Sequence, residues 1–147
     1  MAVSEEGAPE GSAYDWYQRA IDLLERGDAS ASLVLLDRVL AEDPGSTSAR
    51  EARARALFDA RRFDEAAAAF EELVESSPAE DFAHYGLGVS LWRLQRFRQA
   101  EDHLAMAAVM RPDRDDYRGA LEQVRATLRA RRVAGLPLEG PLDAGSP

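Results

Sequence analysis

Residues 81–114 read DFAHYGLGVSLWRLQRFRQAEDHLAMAAVMRPDR, and the two preceding stretches of the same length follow the same pattern. A proline closes the pattern each time, at Pro44, Pro78 and Pro112, which stand 34 residues apart. A fixed period of this length is typical of proteins that stack one supersecondary unit. The sequence therefore predicts an array of three units, which offers an extended surface and no deep closed pocket.

The spacing of the recurring residues predicts two helices in each unit. In the third unit Ala100, Leu104 and Ala107 lie 12, 8 and 5 residues before the closing proline. Intervals of four and three place them on one helical face. Gly88 and Leu91, which lie 24 and 21 residues before the same proline, mark an earlier helix. Small residues at equivalent positions of both helices let the two backbones approach closely, so each unit is predicted to be a helical hairpin.

Residues that end and begin helices stand at the expected connections. Gly27 takes the left-handed conformation that ends a helix, and the aspartate after it can accept the free amides of the next. Arg61 and Gln95 replace this glycine in the second and third units. Ser46 and Asp113, shortly after two of the prolines, are predicted to be N-caps.

These positions resemble the tetratricopeptide repeat family, whose unit is a helix-turn-helix of about 34 residues with a terminal proline. The resemblance covers about residues 13–114, as repeats 13–46, 47–80 and 81–114. It rests on Trp16, Ala20, Leu23, Gly27, Leu36 and Pro44 in the first repeat, on Ala54, Leu57, Phe63, Ala66, Phe70 and Pro78 in the second, and on Leu87, Gly88, Leu91, Phe97, Ala100, Leu104 and Pro112 in the third. It implies an all-α fold, an α-α superhelix or solenoid of helix hairpins.

The chain outside the repeats divides into a helix and two loose ends. Apolar residues on one side of residues 115–132 predict a capping helix, the seventh, which completes a repeat domain at residues 13–132. Residues 133–147 are rich in glycine and proline and are predicted to form a flexible C-terminal tail. Residues 1–12 offer too little apolar area to offset the entropy of ordering, which predicts a disordered N-terminal segment.

Composition narrows the class of protein further. The 147 residues with 46% hydrophobic content suit one domain, and the absence of cysteine excludes a thiolate nucleophile and a disulfide framework. The sequence has no secretion signal and no apolar run of about 18 residues, so we expect a cytoplasmic protein with no membrane partner. All 18 basic residues are arginine, which indicates GC-rich coding and favours a bacterial source.

Charge is spread unevenly over a chain whose net charge is −9, because residues 1–46 hold ten acidic and three basic side chains. Such a field repels nucleic acid and could steer a basic partner, although surface charge also serves solubility alone. Arg125, Arg129 and Arg132 share one side of the terminal helix. One interpretation is that these arginines bind a phosphate or an acidic protein. The favoured interpretation is that they form the polar outer face of the helix and complement its dipole.

The two histidines do not form a recognisable catalytic or metal site. His103 follows two acidic residues, but no second histidine lies one turn away, so it is interpreted as a solvent-facing or helix-capping residue. His84 occupies the position that Trp16 holds in the first repeat and is interpreted as a packing residue. Glu71 and Glu75 could hold a cation weakly, but they suit a solvated face. The sequence therefore predicts no enzyme, no catalytic residue, no metal and no cofactor.

The candidate binding site follows from the family resemblance, which implies that the first helix of each hairpin lines a concave groove. Large aromatic side chains dominate this set, which favours capture of an apolar helix or extended peptide. Gly86 is predicted to leave a notch in the groove, and the N-terminal segment or the capping helix could cover part of it. The groove residues are Tyr14, Tyr17, Ile21, Leu24, Arg55, Phe58, Phe82, Tyr85, Val89, Trp92 and Arg93.

The resemblance also argues against one familiar mode of binding. Members that clamp the terminal carboxylates of a chaperone tail use basic and amide side chains, and those positions correspond here to Tyr17, Ile21, Ala52, Phe82 and Gly86. Only the hydroxyl of Tyr17 can donate to a carboxylate. We therefore expect an adaptor or assembly factor that binds an apolar segment of another protein. The alternative is a self-associating structural or scaffold protein that uses the same surface for homo-oligomerisation.

Overall fold

The structure, a computed structural model, describes residues 11–142, and within that range the chain forms seven α-helices and no β-strand. The helices are α1 (Ala13–Glu25), α2 (Ala29–Glu42), α3 (Thr47–Asp59), α4 (Phe63–Ser76), α5 (Asp81–Arg93), α6 (Phe97–Met110) and α7 (Asp115–Val133). The predicted all-α class with three hairpins and a capping helix is confirmed. Each of the three repeats begins with a helix at its predicted first residue.

The helices group into two compact units. The first unit, Met1–Ala60, contains α1, α2 and α3, and the second, Arg61–Pro147, contains α4 to α7. The division falls in the turn of the second repeat. The predicted disordered segment, residues 1–12, lies outside the described residues except for Gly11 and Ser12, and residues 143–147 of the predicted tail also lie outside them.

The first unit shows the close helix approach that the small residues predict. Ala20 of α1 and Ser32 of α2 are both completely buried. The Ser32 hydroxyl donates to the Ala20 carbonyl at 2.7 Å, which satisfies the buried polar group and joins the two helices. Leu36 and Leu57 of the same unit are also completely buried. Close approach of α1 and α2 at Ala20 and Ser32 therefore goes together with a core of larger apolar side chains.

In the second unit, glycines of α5 make room for large side chains of the neighbouring helices. A Cβ atom on Gly86 would overlap the Phe70 ring of α4, and one on Gly88 would lie 2.6 Å from Cγ of Leu104 in α6. Phe70 and Leu104 are both buried. The interpretation of Gly86 as a notch in a binding groove is therefore wrong, because the Phe70 ring occupies the space that the missing side chain leaves.

Replacing Gly86 by alanine is expected to destabilise the protein even though alanine is the better helix former. Overpacking against the buried Phe70 ring should lower the free energy of unfolding by about 1–3 kcal/mol. Gly119→Ala is the matched control, because Gly119 is exposed within α7 and its Cβ would meet no atom within 4 Å. It should raise the free energy of unfolding by about 0.5–1 kcal/mol. Urea denaturation of both variants measures the two effects, and changes of equal sign would contradict this packing.

The turns of the three hairpins share one backbone conformation despite their different sequences. Gly27, Arg61 and Gln95 follow the first helices of the three repeats, with φ of 85°, 64° and 61°. After Gln95, the N–H of Arg96 donates to the Leu91 carbonyl at 2.9 Å, which is the wider bond of a Schellman motif. The turn typical of the family is thus kept in the second and third repeats without glycine. Arg61 and Gln95 adopt the left-handed backbone conformation there, which residues with a Cβ atom disfavour.

Gln95→Gly is expected to raise the free energy of unfolding by about 0.5–1 kcal/mol, because glycine adopts positive φ without steric conflict. The reciprocal variant Gly27→Gln should lower it by a similar amount. A Cβ at Gly27 would have no neighbour within 4 Å, so conformational strain alone decides the second effect. Thermal unfolding of both variants tests this reciprocity. A neutral result for Gly27→Gln would show that the positive φ imposes no cost.

The predicted N-caps are correct at one position and wrong at the other. Ser46 caps α3 and its hydroxyl accepts the Ala49 N–H at 3.2 Å. The N-cap of α7 is Arg114, one residue later than the predicted Asp113. The Arg111 guanidinium donates twice to the Asp113 carboxylate, at 3.0 and 2.9 Å, and lowers the pKa of this carboxyl to about 2. The Asp113 carboxylate therefore binds the Arg111 guanidinium and does not cap α7.

After α7 the chain returns to the turn between α5 and α6. The Gly140 N–H donates to the Gln95 carbonyl at 2.9 Å. The buried Arg131 guanidinium donates to the carbonyls of Pro137 and Gly140, at 3.0 and 2.6 Å. The Glu139 carboxylate accepts a backbone N–H from the first turn of α6 at 3.1 Å. Part of the predicted tail therefore contacts the helices of its own unit. The flexibility of the tail stays a prediction.

Candidate protein-binding surface

In the first unit the candidate groove residues differ widely in exposure. Tyr14 is 69% exposed, and Tyr17 and Ile21 are half-buried on the same helix. Leu24 is only 3% exposed, so it belongs to the core and offers no surface to a ligand. On α3, Arg55 is exposed and Phe58 is half-buried. Tyr14 is therefore the most accessible aromatic side chain of this unit's candidate set.

The two tyrosines of α1 line a pocket with a volume of about 330 Å³. The pocket lies where α1 begins, α2 ends and α3 begins. Val39 forms part of its apolar wall, and the exposed Asp43 contributes a carboxylate. The complete lining is Ala13, Tyr14, Tyr17, Val39, Asp43, Ser46 and Ser48. Sequence reasoning found the tyrosines and missed Asp43, because it considered only the first helix of each repeat.

In the second unit the candidate residues of α5 remain at least partly accessible. Phe82 is 36% exposed, while Tyr85, Val89 and Trp92 are half-buried. Arg93 is exposed and its guanidinium carbon lies 4.7 Å from the centre of the Phe63 ring. The α5 face therefore presents aromatic area with polar edges, the combination that is enriched in energetically important contacts between proteins.

The capping helix covers part of this face through Tyr117, which is one of the two coverings that the sequence left open. The Tyr85 and Tyr117 rings are stacked with centres 4.6 Å apart, and Arg114 lies 4.6 Å from the centre of the Tyr117 ring. The buried Tyr117 hydroxyl donates to Asp81 at 2.6 Å. Burial and this acidic neighbour raise the pKa of Tyr117, and burial chiefly raises the pKa of Tyr85. Both rings are consequently held neutral and in place.

Trp92 has a different support, at the other end of α5. Its ring meets the Phe97 ring edge to face, with centres 5.2 Å apart. The Arg131 guanidinium carbon lies 4.7 Å from the centre of the same Phe97 ring. Because Arg131 also binds the returning chain, Phe97 is fixed by α5, α7 and that segment together. Trp92 is therefore oriented by a buried neighbour while part of its own surface stays accessible.

The two histidines, which were interpreted separately from the sequence, form one pair in the structure. Nδ1 of the buried His84 lies 3.2 Å from Nδ1 of His103, and Nε2 of His84 lies 2.8 Å from the Pro78 carbonyl. The carbonyl requires a proton on Nε2 of His84, so in the neutral pair His103 donates from its own Nδ1. The packing role predicted for His84 agrees with its burial, whereas His103 is half-buried rather than fully solvent-facing.

Burial and the neighbouring His84 lower the pKa of His103, while Asp102 and Glu71 oppose the shift more weakly. His103 is therefore harder to protonate in the folded protein than in the unfolded chain. The unfolded chain takes up this proton first as the pH falls below about 6.5, the ordinary value for histidine. The stabilisation that comes from the lowered pKa of His103 is fully present above that pH. It is lost as the pH falls toward the pKa of His103 in the folded protein.

We expect the free energy of unfolding to decrease between pH 7.5 and pH 5.5, by no more than about 1.4 kcal/mol per pH unit for one proton. His103→Gln keeps an N–H donor toward His84 but does not titrate, so its pH dependence should be shallower. Urea titrations at a series of pH values measure both slopes. Identical slopes for the wild type and the variant would show that His103 does not contribute to the dependence.

The remaining candidate groups have ordinary structural roles. Arg125 of the predicted basic stripe lies 3.2 Å from Glu101 and ties α7 to α6. Among residues 11–142 there is no cluster of three His, Cys, Asp or Glu side chains that could hold a metal ion. None of the helices described combines the length and the low polarity that crossing a bilayer requires.

Comparison with known proteins agrees with this architecture. The tetratricopeptide repeat family profile matches residues 17–81 and again residues 52–115. The inactive TPR repeat-containing thioredoxin TTL3 of Arabidopsis thaliana is 34% identical over 95 residues, which are 65% of this chain and 14% of that protein. The chain thus corresponds to a small part of this relative.

Solved structures with the same fold come from several sources. MamA from Desulfovibrio magneticus RS-1 gives a TM-score of 0.76 at 21% identity, over 84% of this chain and 70% of that one. The first TPR domain of Spaghetti (RPAP3), bound to the HSP90 peptide SRMEEVD, gives 0.74 at 16% identity, over 80% and 93%. A thermophilic TPR protein from Thermus thermophilus gives 0.72 at 22% identity, over 84% and 69%. With the repeats, the turns and the family profile in agreement, the chain belongs to the tetratricopeptide repeat family.

Proposed function

We propose that this chain is a non-catalytic adaptor or assembly factor that binds an apolar helix or extended segment of a partner protein. Its fold supports a protein-interaction module. The observation that carries the proposal is the partly exposed aromatic face of α5, where Phe82 and Trp92 remain accessible on a helix whose small residues are used for packing. The proposed setting is the cytoplasm.

The supports beneath the aromatic side chains favour a preformed surface. Phe82 meets the Phe70 ring edge to face, with centres 5.7 Å apart, and Trp92 is oriented by Phe97. A side chain whose rotamer is fixed before binding loses less entropy when a partner docks. Large, preoriented aromatic residues are the type of residue that contributes most to protein interfaces.

An acidic chaperone tail is a poor candidate for the ligand. The related RPAP3 domain holds the acidic peptide SRMEEVD of HSP90. In this chain, Ala52 and Gly86, two of the positions that correspond to clamp residues, are buried, and neither they nor Ile21 and Phe82 carry a side-chain donor. A net charge of −9 adds repulsion. The proposed partner segment is consequently apolar and not acidic.

Partner capture from extracts of the source cells, followed by affinity measurement with the purified partner, tests the proposal. Phe82→Ala/Trp92→Ala should raise the Kd at least about tenfold, because it removes two central aromatic contacts. Met106→Ala/Val109→Ala is the matched control, since these α6 residues are exposed and apolar but lie outside the candidate set. The control should change the Kd by less than about twofold.

Two results would count against this function. An equal loss of binding in both double variants would show that the α5 face has no special role. Recovery of only further copies of the same chain, with a molar mass that grows with concentration in light scattering, would favour the self-associating alternative. The free energy of unfolding of each variant is measured alongside, so that a folding defect is not mistaken for lost affinity.

A further inference from the structure

The pocket at the start of α1 combines two tyrosines with an acidic residue that makes no ion pair within the described residues. Tyr14 and Tyr17 form its aromatic side, and Asp43 supplies the carboxylate. Within residues 11–142 no basic side chain lines the pocket and Asp43 makes no ion pair, whereas Asp37 on the same helix is paired with Arg53 at 2.9 Å. Residues 1–10 contain three glutamates and no basic residue.

The helix that carries Asp43 strengthens this negative site. Asp43 is the C-cap of α2, where the partial negative charge of the helix dipole is concentrated. The last turn of α2 contains no basic residue to offset that charge. A cation in the pocket would therefore lie close to the C-terminus of α2, to Asp43 and to two tyrosines. A helix C-terminus, a carboxylate and an aromatic ring each favour positive charge.

We propose that this pocket binds the side chain of an arginine residue of the partner protein. A planar guanidinium can stack on a tyrosine ring and donate two parallel hydrogen bonds to one carboxylate, which the compact ammonium of lysine cannot do. The volume of about 330 Å³ is at the lower end of the range for sites that hold a small ligand. Tyr14, exposed at the rim, provides the accessible ring face.

This inference rests on the proposed protein-binding function and gives it a chemical specification. It requires the partner protein to carry an arginine that is accessible to the pocket of the first unit. The same pocket would reject an acidic segment, because bringing a second carboxylate beside Asp43 adds repulsion. Since Asp43 is exposed, the attraction should weaken as salt is added.

Binding to the pocket can be measured without knowing the partner, with N-acetyl-L-arginine amide as the probe. We expect chemical-shift changes in 1H–15N spectra that centre on Tyr14, Tyr17, Asp43 and Ser48, with a Kd of about 1–10 mM for a single residue. N-acetyl-L-citrulline amide has nearly the same shape without the charge. It should bind at least about tenfold more weakly.

Two variants with the same change in net charge locate the effect. Asp43→Asn should raise the Kd of the arginine probe about tenfold, because the carboxylate that pairs with the guanidinium is removed. Glu42→Gln is the control, since Glu42 is exposed next to Asp43 but does not line the pocket, and it should change the Kd by less than about twofold. Equal binding of the arginine and citrulline probes, or equal effects of both variants, would overturn the proposal.

Failure here and failure of the proposed function give different results. If the captured partner binds through the α5 face but its affinity is unchanged by Asp43→Asn, the adaptor function stands and the arginine pocket is refuted. If the arginine probe binds the pocket but Phe82→Ala/Trp92→Ala leaves partner binding intact, the pocket stands and the α5 proposal is refuted. The two loci are thus tested separately.

Discussion

Close approach between paired helices is the constraint on which this structure depends. Where α1 meets α2, Ala20 and Ser32 leave space for a hydrogen bond between a side chain and the facing backbone. Where α5 meets its neighbours, Gly86 and Gly88 admit the Phe70 ring and Leu104. Large side chains at these positions would separate the helices and lose the dispersion contacts of a dense core. The small residues are consequently assigned to packing, and the aromatic residues of α5 are left for the remaining faces.

How far the sequence predicts this molecule depends on whether a property is local or involves several helices. The period of the prolines and the i, i+3, i+4 spacing place the six helices of the repeats, because those features act within one hairpin. The burial of Leu24 and the filling of the space beside Gly86 by Phe70 depend on neighbouring helices. The apolar side of residues 115–132 predicts the capping helix, but the stacking of Tyr117 on Tyr85 requires the register of α7 against α5. These contacts join residues far apart in sequence, and no short spacing encodes them.

Ion pairing distinguishes some exposed acidic residues of the repeats from Asp43. Several exposed carboxylates of the repeats lie beside an arginine, as Asp37 lies beside Arg53 and Asp22 beside Arg26, each at 2.9 Å. Such exposed pairs contribute about 0–1 kcal/mol each and mainly neutralise the surface. Asp43 lacks a pair of this kind within the described residues and stands at the negative end of α2. An unneutralised charge beside two aromatic rings has more value for recognition than for stability, because solvent screens its effect on folding until a partner excludes water.

The α5 face and the pocket of the first unit differ in chemistry. Together they would give the module a selectivity that neither has alone. An aromatic face accepts many apolar segments, since burial of apolar area is not directional. A carboxylate framed by tyrosines discriminates by charge, but its contribution is small while it remains exposed to salt. The two contacts therefore select on different properties of a partner, apolar area at the α5 face and charge at the pocket. Specificity for a basic, apolar partner then follows from the combination, and acidic partners are rejected by repulsion.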